Sequence, residues 1–300
     1  MRENSRQRAM SSRSKLSVII CSKDRANALE SCLGKLPVPE MLATSAELIL
    51  VDNASSDHTA EVMRGYQRSA PFSVIVVSEP RPGLSLARNA GLAAATTDLI
   101  VFTDDDCYFG DGYLLRASEL FHQPAFDYCG GRIMLYDQTD SPYGCSSRLN
   151  FELIPPNSFV RAGQIQGANM VVTRKVVDAI GGFDPMLGAG TPFRCEDIDY
   201  CARASLAGLV GAYVPELIVY HHHGRKPGKD IGRLISANDV ARGAYYAKYV
   251  MRGRWDYLRS WLRLMRWNPI ATTRRELRGA FSYAVAALLS GQPGSRAGAH

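Results

Sequence analysis

Three adjacent carboxylates, Asp104-Asp105-Asp106, follow the largely apolar run 98–103 (DLIVFT). In extended chain the side chains at i and i+2 point to the same side, so Asp104 and Asp106 can approach one point together. Two converging carboxylates repel unless a cation neutralises them, and a pair of hard oxygen ligands suits Mg2+ or Mn2+. A solvated acidic turn or a helix cap accounts for the triplet alone equally well; its place at a strand end favours the metal. A second acidic group, Glu196-Asp197-Ile198-Asp199, opens a helical stretch after a glycine-rich loop. The helix dipole favours carboxylates in a first turn. The chemical alternative is a general base, whose strength depends on burial and neighbouring charge. His221-His222-His223 closes an apolar run, where His221 and His223 share a face, and either a metal ligand or a polar strand end fits one of them.

Two weaker features stand beside these. Asp52-Asn53 ends another apolar run. Its carboxylate can accept hydrogen bonds from a base or ribose, yet Asp-Asn-Ala-Ser-Ser-Asp is also strong turn chemistry. Arg88 and Asn89 fall in the first turns of a helix that follows Pro82-Gly83. A guanidinium there can grip phosphate with two parallel bonds, although a solvated helix arginine is commoner. No Walker A pattern and no G-x-G-x-x-G occurs, so a P-loop and a dinucleotide fingerprint are both absent.

The elements that must position these groups follow from the hydrophobic pattern. Runs at 16–21, 47–52, 73–78 and 98–103 read as buried strands. Helices are expected at 26–36, 57–69, with Asp57 as cap, and 84–97. Four β-then-α units imply a parallel sheet with right-handed crossovers, and ligands in such sheets sit beyond the carboxyl ends of the strands. Three of the four strand ends carry polar groups, at 21–22, 52–53 and 104–106. The second half is more mixed: strands at 128–136, 164–172, 210–214 and 217–221, a helix at 194–206, and a mobile loop at 181–190, which holds four glycines. From Asp230 onward the pattern is helical, with Trp255, Trp261 and Trp267 among arginines.

Composition excludes several classes. Of the 300 residues, 46% are hydrophobic and 21% charged, as in a globular protein. Seven cysteines without a C-x-x-C pair argue for buried free thiols and a reducing compartment. The first fifteen residues lack an apolar core, and the most apolar stretch, 280–290, is too short to span a bilayer, so a cytoplasmic location is expected. The net charge of +6 is uneven. Residues 1–15 hold five basic side chains and one acidic; residues 224–280 hold fourteen and four, which leaves the stretch between them acidic. An acidic body argues against nucleic acid as a partner. The basic extension fits peripheral contact with the inner face of a membrane; a helical subdomain packed on the core, with solvated arginines, is the favoured expectation.

Taken in order, VIICSKDR at 18–25, LVDNASSD at 50–57, GLSLARNAG at 83–91, FTDDDC at 102–107, GANM at 167–170, and GGFDPMLGAG with CEDIDYCAR within 181–203 resemble the family 2 glycosyltransferases of the GT-A fold. The resemblance covers about residues 16–223. It implies an α/β fold: one Rossmann-like GT-A domain at 16–223, with a mostly parallel central sheet flanked by helices, between a disordered segment at 1–15 and a helical extension at 224–300. It implies that Cys21, Ser22, Asp24 and Arg25 line a nucleotide site, that Asp52 contacts the base, and that Arg88 and Asn89 lie near the donor. Asp104 and Asp106 become a D-x-D pair that binds Mn2+ or Mg2+, with Asp106 the firmest ligand and Asp105 near the ribose or sugar. Gly167, Ala168 and Asn169 form a wall for sugar or acceptor, and His221 lies near metal and diphosphate.

The implied reaction is an inverting single displacement. Asp197 is the catalytic base with Glu196 beside it, and the donor is a nucleotide sugar, UDP-linked as the family's commonest. GDP and dTDP remain open, as does the acceptor: a glycan, a lipid-linked glycan or a small metabolite. A sugar nucleotidyltransferase would show a glycine- and Arg/Lys-rich phosphate loop where CSKDRAN stands. A catalytically silent nucleotide-sugar-binding protein and a metal-dependent phosphohydrolase are the remaining alternatives.

Overall fold

A computed structural model describes residues 15–122 and 125–289. The disordered segment expected at 1–15 falls mostly on residues 1–14, and the apolar stretch 280–290 ends on Ser290; residues 1–14 and Ser290 lie outside the described residues. In chain order the elements are β1 (Leu16–Ser22), α1 (Ala26–Leu33), α2 (Val38–Ala43), β2 (Glu47–Asp52), α3 (Thr59–Ser69), β3 (Val74–Ser78), α4 (Leu84–Ala94), β4 (Leu99–Asp104), β5 (Cys107–Phe109), α5 (Tyr113–Leu120), β6 (Tyr128–Leu135), β7 (Glu152–Ile154), β8 (Met170–Thr173), α6 (Arg174–Ile180), α7 (Glu196–Leu206), β9 (Gly211–His221), α8 (Lys229–Met251), α9 (Trp255–Met265) and α10 (Ile270–Leu289).

The strands form one sheet in the order β3-β2-β1-β4-β8-β6-β9-β5, with β7 on β9. The parallel ladder expected from the βα pattern runs through β3, β2, β1 and β4. Beyond β4 the sheet is mixed: β8 is antiparallel to both β4 and β6, and β5 and β7 are antiparallel to β9. Alternation along the strands sends Ile19, Ile49, Val51, Ile100 and Phe102 into one core and Val18, Ile20, Leu48, Leu50 and Val101 into another. Helices cover both faces, as strands without a solvated side require.

Several boundaries differ from the pattern. The helix expected at 26–36 stops at Leu33 and a second one begins after Pro37, whose ring cannot continue the first. Of 164–172 only 170–172 is strand, the start of Met170–Thr173, so 167–169 is loop. The two strands expected at 210–214 and 217–221 are one, irregular near Pro215, whose carbonyl accepts a bond from Arg132.

The three C-terminal helices share the first core through Tyr245, Tyr249, Tyr257, Trp261 and Tyr283. Gly243 and Gly279 lie where α8 and α10 cross, and a Cβ on either would run into the facing backbone carbonyl. Polar ties supplement the apolar packing. Lys248 is buried, with its ammonium 2.7 Å from Asp184 and 2.6 Å from Asp199, which also meets Arg203 at 3.0 Å. Burial pushes the Asp199 carboxyl up, but these cations and the Tyr249 hydroxyl outweigh it and hold it below the usual range. Lys248 therefore ties α8 to the first turn of α7 and to the glycine-rich loop. Lys248→Met leaves buried carboxylates short of their cation, and the expected loss is about 3–5 kcal/mol of stability, read from the denaturant midpoint against wild type; an unchanged midpoint would show that the tie is idle.

Candidate active site

A cleft of about 350 Å³ opens at the carboxyl ends of β1 and β4. Strand geometry explains its floor. Cys21 pairs with Asp104 across the β1–β4 ladder, so the loops that leave both strands start side by side. Ser22 donates to Asp105 at 2.6 Å. Arg25, in the turn before α1, spans two carboxylates, with Nε 2.8 Å from Asp105 and Nη2 2.6 Å from Asp106. Deeper in, the guanidinium of Arg88 meets Glu196 at 2.9 Å and Asp104 at 3.4 Å. Gly167 packs so closely on that guanidinium that any side chain there would displace it.

His221, the last residue of β9, turns Nε2 to Asp106 Oδ1 at 3.2 Å. That contact separates the three histidines. His222 pairs with the Tyr108 hydroxyl at 2.9 Å, and His223 with the Ser141 carbonyl at 3.0 Å, so neither meets the acidic triplet in this way. His221 Nδ1 is buried and has no hydrogen-bond partner among the described residues. Asp106, Cys107 and His221 bring donor atoms within 4.8 Å of one another. Burial pushes the Cys107 thiol far up, so it stays protonated and is a poor ligand for a hard cation. The oxygen of Asp106 and a nitrogen of His221 are a donor set that fits Mn2+ or Mg2+; Asp104, expected to pair with Asp106, lines the same cleft but turns to Arg88 and is outside that group.

Charge explains the titration pattern. Burial raises Asp105 to about 6 against the opposing pull of Arg25 and Ser22. Burial also raises Asp104, despite Arg88, and its side chain is still 37% exposed where it lines the cleft. At Asp106 burial is outweighed by the His221 hydrogen bond and charge, and the carboxyl ends below its usual range. His221 is raised, because Asp106 and Asp104 overcome burial.

The roof comes from two loops. Gly83 and Gly190 both have positive φ, at 144° and 95°. A Cβ on Gly190 would sit 3.2 Å from the Gly83 Cα, and the Leu84 amide donates to the Ala189 carbonyl at 2.9 Å. The loop at 181–190, expected to be mobile, is braced at further points: Ser85 bonds the Leu187 carbonyl, and Asn89 holds both the amide and the carbonyl of Phe183. Asn89 is thus spent on this loop and does not line the cleft.

Other expected residues also serve the scaffold. Asp24 clasps Ser56 through both amide and hydroxyl, and Asp52 accepts the Ser55 amide in a tight turn; neither lines the cleft. Asn169 is buried and satisfied by Tyr113, Arg132 and Leu217, and the Ala168 carbonyl accepts from Thr103. Glu196 is buried against Arg88, whereas Asp197 is half-buried, its Oδ2 held by the Gly167 amide at 2.9 Å and its Oδ1 by the Ile198 amide at 2.7 Å; neither is among the residues that line the cleft. Cleft residues that the sequence does not single out include Asn53 and Arg225. Asn53 follows an acidic strand end, which is its only signal; Arg225 reaches the cleft because β9 ends beside β5, a pairing that no local pattern announces.

Residues 17–181, more than half of the chain, match the family described as Glycosyl transferase family 2. The glycosyltransferase AglE of Haloferax volcanii is 23% identical over 224 residues, 73% of this chain and 69% of that protein. Among solved structures, the mannosyltransferase PcManGT from Pyrobaculum calidifontis, in complex with GDP-Man and Mn2+, aligns over 96% of this chain and 77% of its own, with a TM-score of 0.61 and 18% identity. S. aureus TarS 1–349 in complex with UDP-GlcNAc aligns over 76% and 66%, with a TM-score of 0.55 and 17% identity. These likenesses establish the GT-A fold.

Burial and the neighbouring Asp197 raise Glu196 from 4.5 to about 7 against the opposing Arg88. A carboxyl raised on folding binds its proton more tightly in the native state. Its stabilising share is therefore full below pH 4.5 and is lost as pH rises through about 7. Denaturant midpoints measured across that window should fall with pH in wild type and fall less steeply in Glu196→Gln; parallel slopes would contradict the assignment.

Proposed function

This chain belongs to glycosyl transferase family 2, and we propose that it transfers a sugar from a nucleoside-diphosphate sugar, with UDP as the first candidate nucleotide, to an acceptor hydroxyl with inversion at the anomeric carbon. The observation that carries this reading is the meeting of Asp106 and His221 at 3.2 Å on the wall of a cleft at the carboxyl ends of β1 and β4. Nucleotides bind at that end of α/β sheets. Two of the similar solved structures hold GDP-Man with Mn2+ and UDP-GlcNAc, which supports a nucleotide sugar as the donor class and a divalent cation as its companion.

Asp106 and His221 would hold the cation, with Asp104 beside them. When bound, a divalent cation supplies Lewis-acid charge that stabilises a departing diphosphate. The chain's own residues do the rest. Cys21, Ser22 and Asn53 line the nucleotide end of the cleft, and Arg25 offers a fork suited to phosphate or ribose oxygens. Arg88 fixes Glu196 and Asp104 and so sets the depth of the sugar site. Asp197 is the base. Its carboxylate is half-buried and oriented by two amides, while Glu196 is already paired. Asp197 takes the acceptor hydroxyl proton as the oxygen bonds to the anomeric carbon and the bond to the diphosphate breaks. The touching loops at Gly83 and Gly190 shield the donor from water. The acceptor is a hydroxyl of a glycan, free or lipid-linked, or of a small metabolite.

Release of nucleoside diphosphate from UDP-, GDP- and dTDP-sugars, measured with mixed cell-extract acceptors, tests the reading. Asp197→Asn should lower kcat by about 10²–10⁴ with little change in donor KM. A variant that keeps wild-type kcat would remove Asp197 from the chemistry, and nucleotide binding without any release would favour a silent binding protein. Chelation should abolish release, and added Mn2+ or Mg2+ should restore it; release that persists under EDTA would overturn the cation's role.

A further inference from the structure

Helix α10 buries Glu276, Gly279, Tyr283 and Ala287. On its opposite side Ile270, Leu277, Phe281, Val285 and Leu288 recur at steps of seven, four, four and three, which is one stripe of a helix. This stripe is open to solvent: Ile270 and Phe281 are each 73% exposed and Leu288 is 65% exposed. Trp267, just before the helix, is 86% exposed. Exposed arginines accompany the stripe: Arg266 ahead of it, Arg274 within it and Arg278 along its edge.

An apolar stripe of this length, about 30 Å at 1.5 Å per residue, is unfavourable in water and marks a binding face. No helix among the described residues is long and apolar enough to cross a membrane. Charge decides between the remaining occupants. Between positions 252 and 289 the acidic side chains are Asp256 and Glu276. Asp256 is bound by Arg254, and Glu276 is buried against Trp261 and Arg242. A second copy laid on this face would oppose arginine to arginine with no free carboxylate from this segment between them. An anionic bilayer meets both demands, with hydrocarbon for the stripe and phosphate for the guanidiniums. Apolar residues with arginines at their flank and an aromatic at the end are the composition of a helix that lies in the membrane interface.

We propose that α10 docks the protein flat on an anionic lipid surface, with Trp267, Phe281 and Leu288 entering the headgroup boundary and Arg266, Arg274 and Arg278 on the phosphates. The proposal concerns a surface apart from the cleft and does not rest on the transferase reading.

Sedimentation of the full chain with vesicles tests it. One set is phosphatidylcholine alone; the other is equal parts phosphatidylcholine and phosphatidylglycerol. The protein should pellet with the anionic set and release as salt is raised. Phe281→Ser with Leu288→Ser, and separately Arg274→Gln with Arg278→Gln, should each weaken binding about tenfold or more. All four side chains are solvent-exposed, so the variants should keep the wild-type melting temperature, which is checked alongside. No pelleting of wild type, or equal pelleting of the variants, overturns the proposal. So does a wild-type dimer in solution that Phe281→Ser with Leu288→Ser dissociates while lipid binding is absent.

Discussion

The guanidinium of Arg88 lies buried between Glu196 at 2.9 Å and Asp104 at 3.4 Å, beneath the backbone of Gly167. Each of those neighbours comes from a different element: α4 carries the arginine, α7 the glutamate, β4 the aspartate, and the loop before β8 the glycine. A buried cation demands carboxylate partners, and buried carboxylates demand a cation. This one contact therefore fixes how Glu196 stands relative to Asp104 on the cleft wall. Asp197 follows, because the residue beside the paired Glu196 is turned to the Gly167 amide. Asp104 follows, because its neighbour in the ladder is Cys21 and its charge partner is Arg88.

What Arg88 does behind the cleft, the triplet and β9 do on its wall. Asp105, which lines the cleft, is bonded by Ser22 and Arg25 and so ties the loop after β1 to the triplet. Asp106 reaches across to His221, and its low-lying carboxyl beside a histidine with an unpartnered buried nitrogen makes an oxygen–nitrogen pair. The glycine-rich loop that would cover a donor is not slack. It is tied to α4 through Ser85 and Asn89 and to α8 through Lys248 on Asp184. The C-terminal helices thereby support the roof of the cleft as well as the first core.

The sequence shows the parallel half of the fold clearly. Buried strands on both faces read as unbroken apolar runs, and polar residues at three of their ends point to one rim. The antiparallel half is less legible. β5 and β7 have three residues each, too few for any period to show. β9 passes through Pro215 and reads as two strands. In the site, types were easier to read than directions. Asn89 and Asp24 looked like ligand-facing groups, yet one braces Phe183 and the other Ser56, since Asn and Asp bond nearby backbone as readily as a ligand. The three histidines could be told apart only by pairing, because the register of β9 against β5 sets Cys107 opposite His221. Lys248 gave no signal at all: a lysine in a helix reads as solvated, and only packing shows that it is buried between two carboxylates.

On the proposed function, Asp106 and His221 hold a divalent cation in the cleft. Electron paramagnetic resonance of Mn2+ titrated into the protein with UDP tests it most directly, with GDP and dTDP run in parallel. The expected result is bound Mn2+ in wild type, strengthened by one nucleotide and lost in both Asp106→Ala and His221→Ala. Mn2+ held equally well by both variants would contradict the claim and place the cation, and with it the chemistry, elsewhere.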